Sequence, residues 1–102
     1  MDAIHEIDPL LCSSTRFRTI AQVIADGGVA AFVDIERKLI QNPGTLSFHN
    51  RALAREGYIR ITKRIVGSKV ETSLQITDKG RKAFARHCAA MQAVANVELD
   101  TA

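Results

Sequence analysis

The chain has 102 residues, 46% hydrophobic and 25% charged, with a formal net charge of +3. That suffices for one domain with one modest core, and no apolar run approaches the roughly 20 residues of a membrane-spanning helix. The charge is segregated: residues 1–50 carry four basic and six acidic side chains, residues 51–86 carry ten basic and three acidic. Charge segregated this strongly points to a polyanionic partner, against the plainer reading of a solvated basic face.

The opening Met-Asp-Ala-Ile-His-Glu-Ile-Asp lacks a basic start and an apolar stretch, so no signal peptide is expected. Two cysteines, Cys12 and Cys88, are too few for a disulfide framework. They are expected to be free, packed and poorly reactive thiols in a reducing cytoplasm. Residues from Ile4 to about Ala25 are expected to be helical, started by Asp8-Pro9. Leu10, Phe17, Ile20, Val23 and Ile24 would form its apolar face, with Cys12-Ser13-Ser14-Thr15 weakening but not breaking it. Asp26-Gly27-Gly28 is a stop, and Val29-Ala30-Ala31 a brief strand or extended link able to pair with a later hairpin.

Two short helices follow. Phe32 to Ile40 carries Phe32, Ile35 and Leu39 on one face. Asn42 offers an N-cap oxygen to a second helix, Pro43 to Glu56, with Pro43 at its first position. Leu46, Asn50 and Leu53 face inward, and Gly57 ends the helix as a left-handed cap. Tyr58–Val66 and Val70–Ile76 are strand-like, joined at a Gly67-Ser68-Lys69 tip. Ile59, Ile61 and Ile65 share one parity with Lys63, and Arg60, Thr62 and Arg64 share the other. Thr77 caps a last helix, from about Asp78 to Val97, with Phe84, Cys88, Met91 and Ala95 as its apolar stripe and Asp100-Thr101-Ala102 frayed beyond it.

A helix-turn-helix followed by a basic hairpin places one helix for a DNA major groove. The segment with Ser47, His49, Leu53, Gly57, Tyr58 and Ile59 resembles the recognition helix of small winged-helix regulators of the MarR and ArsR group. Ile76-Thr77-Asp78-Lys79-Gly80 resembles the Leu-Thr-x-x-Gly sequence to which their wing returns. One departure is Asn50, where these families usually carry Leu.

The fold class expected is α+β, mostly α: a winged helix-turn-helix with a three-helix core, a two- to three-stranded β-wing and a long C-terminal helix. Residues 1–102 read as a single domain, with 8–76 the helix-turn-helix and wing and 77–98 the dimerisation helix. The resemblance implies a homodimeric, sequence-specific regulator of double-stranded DNA, acting as a repressor by occlusion. Ser47, Phe48 and Arg51 would face bases, while Thr45, His49 and Arg55 would touch the backbone or support the helix. Arg64, Ser68 and Lys69 would hold the wing to phosphate or the minor groove. Phe84, Cys88, Met91 and Ala95 would serve the core or the dimer interface.

Some ArsR-like proteins ligate metals on the last helix, which raises a metal or thiol sensor using Cys12 and Cys88, with His87 taken as an exposed imidazole. Adjacent helical residues diverge by about 100° and rarely chelate one ion, so neither metal nor cofactor is expected. A winged helix used for protein–protein contact would present an apolar or acidic face, and this face is basic. No phosphate loop, Gly-x-Ser-x-Gly or His-Glu-x-x-His occurs, and nothing points to an enzyme. The sequence specifies neither an effector nor a pocket for one.

Overall fold

The computed structural model describes residues 2–101, with side-chain surroundings for residues 3–97; Met1 and Ala102 lie outside it. Two 3-10 turns, Asp2–Glu6 and Pro9–Cys12, lead into helix α1, Ser14–Ala25. Strand β1 (Val29–Ala31), helices α2 (Phe32–Leu39) and α3 (Pro43–Arg55), strands β2 (Ile59–Val66) and β3 (Lys69–Ile76) and helix α4 (Asp78–Thr101) follow.

The helix expected from Ile4 to Ala25 is divided. Asp8 accepts a hydrogen bond from the Leu10 N–H at 3.0 Å, and Ser13 accepts one from the Arg16 N–H at 3.3 Å. Short polar side chains compete with the helix for backbone donors and so favour caps. Here Asp8 caps the second 3-10 turn and Ser13 caps α1, so the Cys12–Thr15 run breaks the helix.

The three strands form an antiparallel sheet in the order β1-β3-β2. Val29-Ala30-Ala31 does pair with the hairpin, with Ala30 opposite Leu74. Leu74 is also opposite Ile61 across β2, and it is fully buried. Ile20 and Val23 of α1, Ile35 and Leu39 of α2 and Leu46 and Leu53 of α3 meet in the core, none more than 6% exposed. The turn from α2 to α3 passes through Ile40 in the left-handed region, φ 53°. A β-branched residue there stores on the order of 1–3 kcal/mol of strain.

Helix α4 sits about one residue's rotation from the expected setting. Its inward stripe is Ala83, His87 and Ala90, all buried. Phe84 and Cys88 are half-buried, Met91 is 50% exposed and Ala95 is exposed. Only Phe84 of the expected stripe reaches the chain's own core, where its ring lies 5.1 Å from that of Phe17. His87, read from the sequence as exposed, accepts a hydrogen bond from the Asp8 N–H at 2.9 Å on Nδ1 and stands edge-on to Phe17. The Asp8 carboxylate also accepts from the Tyr58 hydroxyl, which joins the N-terminal turns to α4 and to the exit of α3. The helix continues through Asp100 and Thr101, two of the residues expected to fray.

Candidate nucleic-acid interface

Helix α3 begins as its sequence dictates. The Asn42 side-chain oxygen accepts from the Gly44 and Thr45 N–H groups at 2.8 and 3.3 Å, with Pro43 at the first position. Leu46, Asn50 and Leu53 are buried at spacings of four and three. The opposite face is left to solvent. Thr45, Arg51 and Arg55 are exposed, Phe48 is 56% exposed, and Ser47 is half-buried at the edge.

His49 belongs to the support of this helix rather than to its open face. Its Nδ1 lies 2.8 Å from an Arg16 guanidinium nitrogen, and the Arg16 Nε–H donates to the Leu10 carbonyl at 2.6 Å. Burial, and then the nearby Arg16 charge, hold the His49 pKa below its ordinary 6.5. Because the folded state disfavours the proton, the unfolded chain binds more of it. Stability from this source is complete above about pH 6.5 and is lost as pH falls through the lower folded value. Urea titrations between neutral and mildly acidic pH should therefore show destabilisation on acidification. The slope should be shallower in His49→Gln; an unchanged slope would remove His49 as its source.

A latch holds the C-terminal end of α3. Gly57 takes φ 81°, a conformation few side-chain-bearing residues tolerate. The Thr77 hydroxyl lies 2.6 Å from the Gly57 carbonyl and 3.1 Å from the Tyr58 carbonyl, and its oxygen accepts from the Gly80 N–H at 2.9 Å. Gly80 is buried against Tyr58, and a methyl group there would overlap the Tyr58 carbonyl oxygen. The Thr-Asp-Lys-Gly segment is thus the joint between wing, recognition helix and α4.

The hairpin pairs Val66 with Lys69, so its tip is Gly67-Ser68 and Lys69 opens β3 instead of lying in the turn. The ribbon has two unlike faces. Ile61 and Leu74 continue the core, and beyond them lie Lys63 opposite Thr72 and then Ile65 opposite Val70. Ile65 and Val70 are 78% and 63% exposed. Arg60 and Arg64 lie on the other face, where Arg64 stands 3.5 Å from Glu71. Lys63 and Thr72, rather than Arg64, share the α3 side of the wing. They line a cleft with Ser47, Asn50 and Arg51, floored by Phe32, Ile61 and Leu74.

Lys63 and Asn50 were not singled out from the sequence as site residues. The signal for Lys63 was its place on the apolar parity of β2. For Asn50 it was an amide where a leucine is usual. Asn50 is 1% exposed, and neither its amide nitrogen nor its amide oxygen has a hydrogen-bond partner. A buried amide left so costs about 1–3 kcal/mol.

Among the described residues no three or more His, Cys, Asp or Glu side chains come together to hold a metal. Cys12, expected to be packed, is exposed, and its thiol lies 3.4 Å from the Asp8 carbonyl. Cys88 is half-buried, and burial pushes its thiol pKa up. Among the described residues no helix is long and apolar enough to cross a membrane.

A capped recognition helix latched to a β-hairpin beside it is the architecture of a winged helix. The sequence matches the winged helix DNA-binding domain family over residues 15–95, and the chain belongs to that family. No curated protein matches the sequence. Among solved structures, the transcriptional regulator homologue of Pyrococcus horikoshii OT3 is 26% identical, with a TM-score of 0.84 over 94% of this chain and 96% of that one. YusO of Bacillus subtilis is 16% identical, with a TM-score of 0.77 over 99% and 68%. ZitR of Lactococcus lactis, a zinc-responsive MarR family member, is 16% identical, with a TM-score of 0.61 over 87% and 60%. The last two are likenesses of fold. Family and fold together make this chain a winged-helix DNA-binding protein.

Proposed function

We propose that the protein is a homodimeric repressor that reads duplex DNA with α3 in the major groove and holds the flanking backbone with its wing. The observation that carries this reading is the division of α3. Burial of Leu46, Asn50 and Leu53 leaves Thr45, Phe48, Arg51 and Arg55 as one uncovered face, beside a basic hairpin. Ser47, Phe48 and Arg51 contact bases; Thr45 and Arg55 contact phosphate; His49 positions the helix through Arg16. Ser68 and Lys69 meet the backbone from the tip, joined by Lys63 on the α3 side. Arg64, on the far face against Glu71, has the weakest claim of the wing cations. Selection of bound sequences from random duplexes tests the reading. A palindromic consensus is the expected result, and recovery of no sequence preference would sink it.

The dimer rests on α4. Its 24 residues extend about 36 Å, and the chain's radius of gyration is 15.3 Å, where a compact chain of this length has about 13 Å. Cys88, Met91, Ala95 and Val97 leave apolar surface uncovered along it, and Ile4 of the first 3-10 turn is 57% exposed. A two-fold partner would cover this surface and set two recognition helices about 34 Å apart. On this reading residues 1–102 act as one domain, with 77–98 its dimerisation helix. Sedimentation at tens of micromolar should give a dimer, and Met91→Glu should give a monomer that retains its helical content. A wild-type chain that sediments as a monomer would end this part of the proposal.

A further inference from the structure

We infer that Ile65 and Val70, at the outer end of the wing, form an apolar wedge that opens one base step from the minor groove and bends the duplex. The two stand directly opposite each other, 78% and 63% exposed. They are the last pair before the tip on the face that turns toward α3, the face of Ile61 and Leu74. Residues 62–71 are all exposed, so the outer half of the hairpin stands in solvent. A cross-strand apolar pair steadies a ribbon, but paired threonines do so as well. Threonine keeps the β-branch without adding apolar surface to an edge strand, where it is a liability. Stability of the hairpin alone therefore does not call for isoleucine and valine at this place.

The charges around the pair identify what covers it. Arg64 and Lys69 are its neighbours in sequence, and Lys63 lies two residues inward on the same face. Glu71, the hairpin's one acidic residue, is on the far face against Arg64. Two apolar side chains among cations fit a partner that is apolar within and anionic at its rim. Stacked bases between two rows of phosphates are such a partner. The reach is sufficient. Ile61 packs against the core, and Ile65 lies four residues further out. That is about 13 Å along the strand, against a minor groove roughly 7.5 Å deep. Apolar side chains wedged between base steps kink a duplex by about 20–90°, and pyrimidine–purine steps yield most easily. The wing thus reads the deformability of one step, while Arg51 reads a base edge.

The wedge rests on the DNA reading given under Proposed function, and its test uses the duplex selected there. The full chain should bend that duplex by about 20° or more, read by fluorescence transfer between dyes at its ends. A 2-aminopurine beside the contacted step should brighten as it unstacks. Ile65→Thr combined with Val70→Thr should leave the duplex straight, bind it about tenfold more weakly and relax the preference for that step. The double variant should unfold at the wild-type temperature, because threonine suits a strand. Its slope of log K against log salt should also be unchanged, because no cation is lost, which sets it apart from Lys69→Ala. Ile65→Val keeps the pair apolar and should keep the bend. A wild type that holds its selected duplex straight, or a double variant that bends it equally, overturns the wedge and leaves the DNA reading intact. A double variant that sediments as a smaller species than the wild type assigns the pair to a contact with a second copy, which also overturns the wedge. Failure to select any duplex removes the DNA reading and the wedge together.

Discussion

Gly80→Ala is expected to destabilise the fold by about 3 kcal/mol and to lower its thermal midpoint by roughly 15 °C. The sign opposes helix propensity, by which Ala in a helix interior gains about 1 kcal/mol over Gly. At this position a methyl group would overlap the Tyr58 carbonyl oxygen and lie 2.8 Å from Ile76 Cδ1. Tyr58 is backbone at the exit of α3 and cannot move without carrying the Thr77 latch with it. The loss should therefore appear in DNA affinity too, even below the unfolding temperature, because the recognition helix and the wing share this joint. Thr77→Val keeps the volume and removes the hydroxyl, so it should cost about 1–3 kcal/mol with a milder effect on DNA. Urea titration of both variants checks the order, and a Gly80→Ala protein as stable as wild type would mean that α4 does not press on Tyr58.

The second large effect concerns Arg51, on the open face of α3. A guanidinium fork binds guanine O6 and N7 together, so Arg51→Ala should lower specific affinity by about 1–3 kcal/mol and relax preference at one position per half-site. Lys69, beside the hairpin tip, should meet phosphate. Lys69→Ala should weaken operator and random duplex alike and reduce the slope of log K against log salt by about one. The two variants differ in kind. Isotherms on both DNAs at several salt concentrations read that difference. Equal loss on both DNAs for Arg51→Ala, or an operator-only loss for Lys69→Ala, would reverse the placement of helix and wing.

Local chemistry determined much of this protein. Asn42-Pro43 starts α3 and Gly57 ends it because a cap, a missing N–H and a positive φ are needs met within a few residues. The period of Ile35 and Leu39, then of Leu46, Asn50 and Leu53, identified the buried faces, and Thr77 was legible as a cap. Burial of Asn50 was legible too, since its neighbours on the stripe are leucines.

What tertiary structure decided lies where several settings are locally equivalent. Helix α4 is rich in alanine, so an apolar stripe can be drawn at more than one angle. Packing against the N-terminal turns chose Ala83, His87 and Ala90, because His87 finds the Asp8 N–H there. That choice turned Met91 and Ala95 toward solvent and left Cys88 half-buried. Ser13 could continue a helix or cap one, and only the fold selected the cap. Strand alternation separated Lys63 from Arg64 but did not say which face of the ribbon turns toward α3. The pairing of β3 with both β1 and β2 settled that, since Leu74 must be buried and Lys63 lies on its side. The cleft beside Asn50 is likewise made by four elements, α2, α3, β2 and β3, and no local pattern contains it.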